Sequence, residues 1–207
     1  AVGFCSLKTN TTGACNVVVG SLALDANTTG ACNTSVGYGS LSENTTAPNN
    51  TAVGFYSLLS NTTGVQNVAV GTQALANNTT GASNTATGEA CLLSNTTGAS
   101  NTAVGAESLD ANTTGYSNCA VGKDALTANT EGFKNTAIGV NALASNQTGD
   151  GNTAVGEASL IASLANNNTG VGFRALFSDT TGDRNVALGV DALKSYLQVK
   201  NVGISLD

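Results

Sequence analysis

The chain has 207 residues and a net charge of −6, with 10% charged residues, 4% aromatics, 25 Gly, one Pro and no His, Met or Trp. Without histidine there is no imidazole base, no Ser-His-Asp triad and no His-ligated metal, and so few aromatics and long aliphatics cannot fill a wide globular core. No basic residue lies between Lys8 and Lys123, which argues against a nucleic-acid partner and an anionic membrane surface, and no apolar run is long enough to insert into a bilayer.

Ala1-Val2-Gly3 opens inside a motif, which reads as a mature product or a piece of a longer chain. From Gly3 a Gly after a Val-like residue recurs every 17 residues through Gly20, Gly37 and onward to Gly156; one step of 16 leads to Gly172, and 17 returns at Gly189. The consensus is G-x-x-[AS]-L-x-x-N-T-T-G-x-x-N-T-A-V. With the Gly as position 0, position 4 is Leu in every unit, from Leu7 to Leu193. Position 7 is Asn from Asn10 to Asn146 and later Asp179; position 13 is Asn throughout, from Asn16 to Asn185.

Such a unit is too short for a helical hairpin repeat of about 34 residues, and it lacks a helical apolar period. N-T-A-V is a short β-branched run and N-T-T-G is turn chemistry. Two or three short strands per unit, stacked on their equivalents at about 4.8 Å, predict a parallel β-solenoid or β-roll of about twelve coils and roughly 58 Å. Leu and Val ladders then form a thin apolar spine, and Asn ladders link side-chain amides from coil to coil. Gly at position 10 suits a positive φ. Residues 1–194 form the array, with irregular turns expected at Ala47-Pro48 and in the coil from Gly156 to Val171; residues 195–207 read as a terminal cap or a transition segment.

Side chains alternate across the strand. Val at position 16 points one way and Ala at 15 the other, so both faces are small or apolar. Placing Val inside the coil leaves Ala to meet a neighbouring chain closely, as in a parallel homotrimer, or to space a solvent-facing surface.

The chemistry-bearing residues are sparse. Glu107, Asp110, Asp124 and Glu131 fall at unrelated positions, so no carboxylate pair forms; no phosphate loop, nucleophile elbow, zinc spacing or calcium repeat is present. The reading is non-enzymatic, with no catalytic residue, metal or cofactor. Cys15 and Cys32 share position 12 in adjacent coils, within reach of a disulfide or as two free thiols; Cys91 and Cys119 replace small residues, and Cys5 is unassigned, with an interchain bond as one option. Asn27, Asn61, Asn95 and Asn112 begin N-glycosylation sequons, which are equally good turns. Adjacent turn threonines such as Thr62-Thr63 diverge, unlike the flat paired array an ice-binding face needs. Tyr38, Tyr56 and Tyr116 are the candidate sugar-stacking rings, on turns at different phases.

The runs Asn50-Thr51-Ala52-Val53-Gly54, Asn101-Thr102-Ala103-Val104-Gly105 and Asn152-Thr153-Ala154-Val155-Gly156 resemble the N-S-V-A-I-G-x-x-A repeats of trimeric autotransporter adhesin heads. They resemble even more the N-T-A-V-G-x-x-A-L…N-T-T-G arrays of phage tail-fibre shafts, and this likeness covers nearly every unit. The resemblance implies a trimeric, left-handed parallel β-roll on an extracellular or virion fibre that serves attachment. The expected function is a structural shaft that spaces a binding tip from its anchor. The alternatives are a subunit of a self-assembling extracellular filament and, less favoured, a carbohydrate-binding adhesin head or an ice-binding protein. The expected partner is the chain itself, in a trimer or end to end, with a host receptor or glycan engaged through a region outside this chain.

Overall fold

The computed structural model describes residues 1–195 and the strand at 202–204. Its strands are β1 (Val17–Val19), β2 (Thr34–Val36), β3 (Thr51–Val53), β4 (Val68–Val70), β5 (Thr85–Thr87), β6 (Thr102–Val104), β7 (Cys119–Val121), β8 (Thr136–Ile138), β9 (Thr153–Val155), β10 (Thr169–Val171), β11 (Val186–Leu188) and β12 (Val202–Ile204). They form one parallel sheet in chain order. Each residue pairs with its equivalent in the next coil, as Thr51 with Val68 and Val53 with Val70. The pairing step is 17 residues except at Thr153 with Thr169 and Val186 with Val202. The chain is an all-β parallel solenoid built from 17-residue coils. β12 lies within 195–207, so the stack continues into that segment; the remainder of the segment expected to act as a cap lies outside the described residues.

Only one short strand forms per coil, rather than two or three. The opposite wall is irregular but still bonded from coil to coil: Leu92 N–H donates to Ser108 O at 3.0 Å, Ser94 to Asp110 O at 2.8 Å and Thr96 to Thr113 O at 3.0 Å. Left-handed backbone at positions 2, 4 and 12 curls the chain back on itself. The position-4 leucines have φ between 49° and 56°. That conformation costs a non-Gly residue about 1–2 kcal/mol, but it turns the side chain inward, where complete burial of Leu gives about 1.5–3 kcal/mol.

Those leucines form a column. Leu24 through Leu160 are fully buried one above another, and Leu7 and Leu193 pack half-buried at its ends. The second inward column is Ala at position 15, not Val: Ala52, Ala69, Ala86 and Ala103 are fully buried. The expected Val ladder lies outside the coil, and the faces assigned from the sequence are reversed. The coil interior is narrow at that point and takes mostly small side chains, with Val18 the branched exception in β1. Ser35 Oγ lies 2.6 Å from Ser40 Oγ across it, and a Cβ on Gly170 would stand 2.7 Å from Ser159 Oγ.

The Asn ladders form. At position 7, Asn95 Nδ2 donates to Asn78 Oδ1 at 2.7 Å and to Gly98 O at 3.0 Å. At position 13, Asn101 Oδ1 accepts from Asn118 N–H at 3.0 Å while Asn101 Nδ2 donates to Gly115 O at 2.8 Å. Glycine at position 10 has a different reason from the one expected. It has no positive φ; instead, a Cβ on Gly98 would stand 2.4 Å from both Asn95 Oδ1 and Gly115 O. Position 0 does need both freedoms: Gly88 has φ +142°, and its Cβ would lie 2.5 Å from Gly105 O.

Candidate functional site

Because position 15 turns inward, positions 14 and 16 both turn outward and cover one side of the rod with β-branched side chains. Val17 is 57% exposed, Val104 38% and Ile138 40%. Between them stand Thr34, Thr51, Thr85, Thr102, Thr136, Thr153 and Thr169, together with Cys119. No charged residue occupies either position in β1 to β11. A sheet face that repeats Thr or Val beside Val on successive strands is a continuous, largely apolar surface rather than scattered exposed residues.

Two flanks border this face. The leading flank, before each strand, consists of positions 11 and 12; the trailing flank, after it, consists of positions 1 and 2 of the next coil. The rings gather on the flanks. On the trailing side Tyr38 stacks on Phe55 with centroids 5.7 Å apart and planes 15° apart, and Tyr56 lies 4.1 Å from Phe55. The Tyr56 ring occupies the space a Cβ on Gly39 would need. On the leading side Tyr116 and Phe133 stack at 4.8 Å, nearly parallel, with Lys134 Nζ over the Phe133 ring at 5.6 Å. The candidate rings Tyr38 and Tyr56 therefore meet, contrary to their different phases, and Phe55 and Phe133 join clusters that tyrosines alone did not reveal.

The charges sit on the flanks and the far wall. Arg174 pairs with Asp191 at 2.9 Å, and Lys123 reaches Asp124 at 3.4 Å. Among the described residues no three Cys, Asp or Glu side chains gather to hold a metal ion.

The remaining candidates separate clearly. All five cysteines are free thiols: Cys15 and Cys32 are exposed at the same position of adjacent coils, Cys5 and Cys119 are half-buried, and Cys91 is buried. Burial pushes the Cys91 thiol up, partly opposed by its hydrogen bond with Ser108. The sequon residues Asn27, Asn61, Asn95 and Asn112 are fully buried, with each Nδ2 committed to two acceptors. A folded coil cannot offer them for glycosylation. The turn threonines at position 8 are also engaged, as Thr62 Oγ1 donates to Thr79 O at 3.0 Å. Paired threonines flank an inward residue on the strand face only at Thr85 and Thr87.

What the sequence reading missed is the face itself. Its signal was available: charge appears at positions 1, 2, 5, 6, 7, 9, 11 and 12 but never at 14 or 16. Comparison with models of protein families, with curated proteins and with solved structures gives no match.

Proposed function

We propose that this chain is a structural, non-enzymatic segment of the shaft of an extracellular or virion attachment fibre, formed by three parallel copies whose strand faces turn toward a common axis. The observation that carries this reading is the charge-free strip of Thr and Val running the length of the sheet. Water-facing apolar strips of this extent favour burial at roughly 25 cal/mol per Å², and a copy of the same chain offers a matching strip at the same axial repeat. The repeats' resemblance to tail-fibre shafts supplies the number three and the setting.

The mechanism is mechanical. Successive coils are bonded along both the strand wall and the turn wall, and two Asn ladders and a Leu column resist shear between coils. Association of three such rods would stiffen them further and hold an attached tip at a fixed distance from its anchor. Sedimentation equilibrium at micromolar concentration tests the reading. A mass three times that of the chain is expected, and a monomeric mass under native conditions overturns it.

A further inference from the structure

Resting on that reading of the strand face as a self-association surface, we propose that the Tyr38–Phe55–Tyr56 cluster is a docking key for a second copy of this chain. It seats on that copy's leading flank at Ala31 and Pro48. The argument begins with symmetry. Rods running the same way around an axis parallel to their length place the trailing flank of one copy against the leading flank of the next, at the same height, whether two or three copies close the ring. Rods running oppositely place like flank against like.

The two flanks differ, and they differ in a complementary way. Beside β2 and β3 position 1 of the trailing flank carries Tyr38 and Phe55, whereas position 11 of the leading flank carries Ala31 and Pro48, next to Cys32 and Asn49. Beside β7 and β8 the arrangement reverses: Tyr116 and Phe133 stand on the leading flank, facing a trailing flank of Lys123 and Val140. At no strand from β1 to β11 do positions 11 and 1 both carry a ring.

Charge is complementary around β8 though not at β9, where Asp150 and Glu157 stand at the same height. Lys134, leading at β8, lies one coil from the heights of the trailing Asp124 and Glu157, and Tyr116 lies level with Lys123, a cation for its ring face. Rings meeting small residues give the close packing that two bulky or two small flanks would lack. The clusters therefore set direction and height, while the strand face supplies a surface with the same repeat at every coil.

The test uses Gln66 and Gln73, both exposed, on opposite flanks of β4. Within one chain they stand beyond opposite ends of β4, and a link between them inside one chain would leave it a single chain on the gel. In the full chain with Cys5, Cys15, Cys32 and Cys119 replaced by Ser, the double variant Gln66→Cys with Gln73→Cys is expected to become covalent multimers in a denaturing gel. Each single variant is expected to remain one chain. A multimeric native mass with no cross-link in the double variant, or with cross-links in either single variant, overturns the flank assignment and leaves self-association standing. A monomeric native mass removes both. As a second measurement, Tyr38→Ser with Phe55→Ser should weaken association at least tenfold with unchanged circular dichroism, while Leu164→Ser, exposed on the far turn, should not. Equal association of all three proteins overturns the key.

Discussion

The regular stack from Gly20 to Asn152 and the short coil from Gly156 to Val171 are built from the same motif, yet one has lost a residue. The loss falls in the far turn, where Ser163-Leu164-Ala165 replaces Asn-Thr-Thr-Gly. On the strand side nothing changes. Thr153 pairs with Thr169 in register, and the position-13 ladder runs unbroken as Asn168 N–H donates to Asn152 Oδ1 at 2.9 Å. On the far side the position-7 ladder stops: Asn146 Oδ1 and Ser163 Oγ are buried with no partner. Asp179 resumes the position differently, with its carboxylate accepting from Gly182 N–H at 2.8 Å and Asn185 Nδ2 at 2.9 Å. The two walls therefore differ in tolerance. The strand wall holds its register through a deletion, and the turn wall absorbs it.

The comparison can be broken most severely at the coil corner. Gly88→Ala places a methyl against the Gly105 carbonyl in a conformation that L residues avoid. It should cost roughly 3 kcal/mol or more, seen as a lower midpoint in urea unfolding. Leu109→Ala, in the middle of the fully buried column, should cost about 2–5 kcal/mol by the same measurement.

The two ladders then sharpen the contrast. Asn95→Ala removes donors to Asn78 Oδ1 and Gly98 O and takes one of the two acceptors from Asn112 Nδ2, for a loss of about 2–3 kcal/mol. Ser163→Asn should act in reverse, restoring a donor toward Asn146 Oδ1 for a gain of about 1 kcal/mol. If Ser163→Asn destabilises as much as Asn95→Ala, the far turn is not the tolerant wall. A smaller effect concerns chemistry alone: under native conditions a maleimide should label Cys15 and Cys32 first and Cys91 only on unfolding, read by mass.

The stacking axis, the Leu column and both Asn ladders were legible in the sequence because each needs only identity at a fixed spacing. The 16-residue step was visible too. The face on which Val lies was not, because alternation distinguishes two sides without saying which is inside. The space inside the coil is close at the Ser35–Ser40 contact and beside Gly170 yet holds Val18 in the first strand, and no local pattern reports it. The second wall was misread for a related reason. Two or three strands per unit were expected, but left-handed residues such as Leu92 and Glu107 bend the backbone away from extension. The aromatic clusters were hidden because Tyr38 and Phe55 are 17 residues apart and become neighbours only through the stack.

The most direct measurement is the sedimentation of the unmodified chain beside a variant carrying Val104→Lys and Ile138→Lys, two charges on the outward strip. Neither side chain enters the coil, so circular dichroism and the urea midpoint of the isolated chain should change little, within about 0.5 kcal/mol per site. The account predicts a threefold fall in native mass from the unmodified chain to the variant. Identical masses for the two proteins would contradict it.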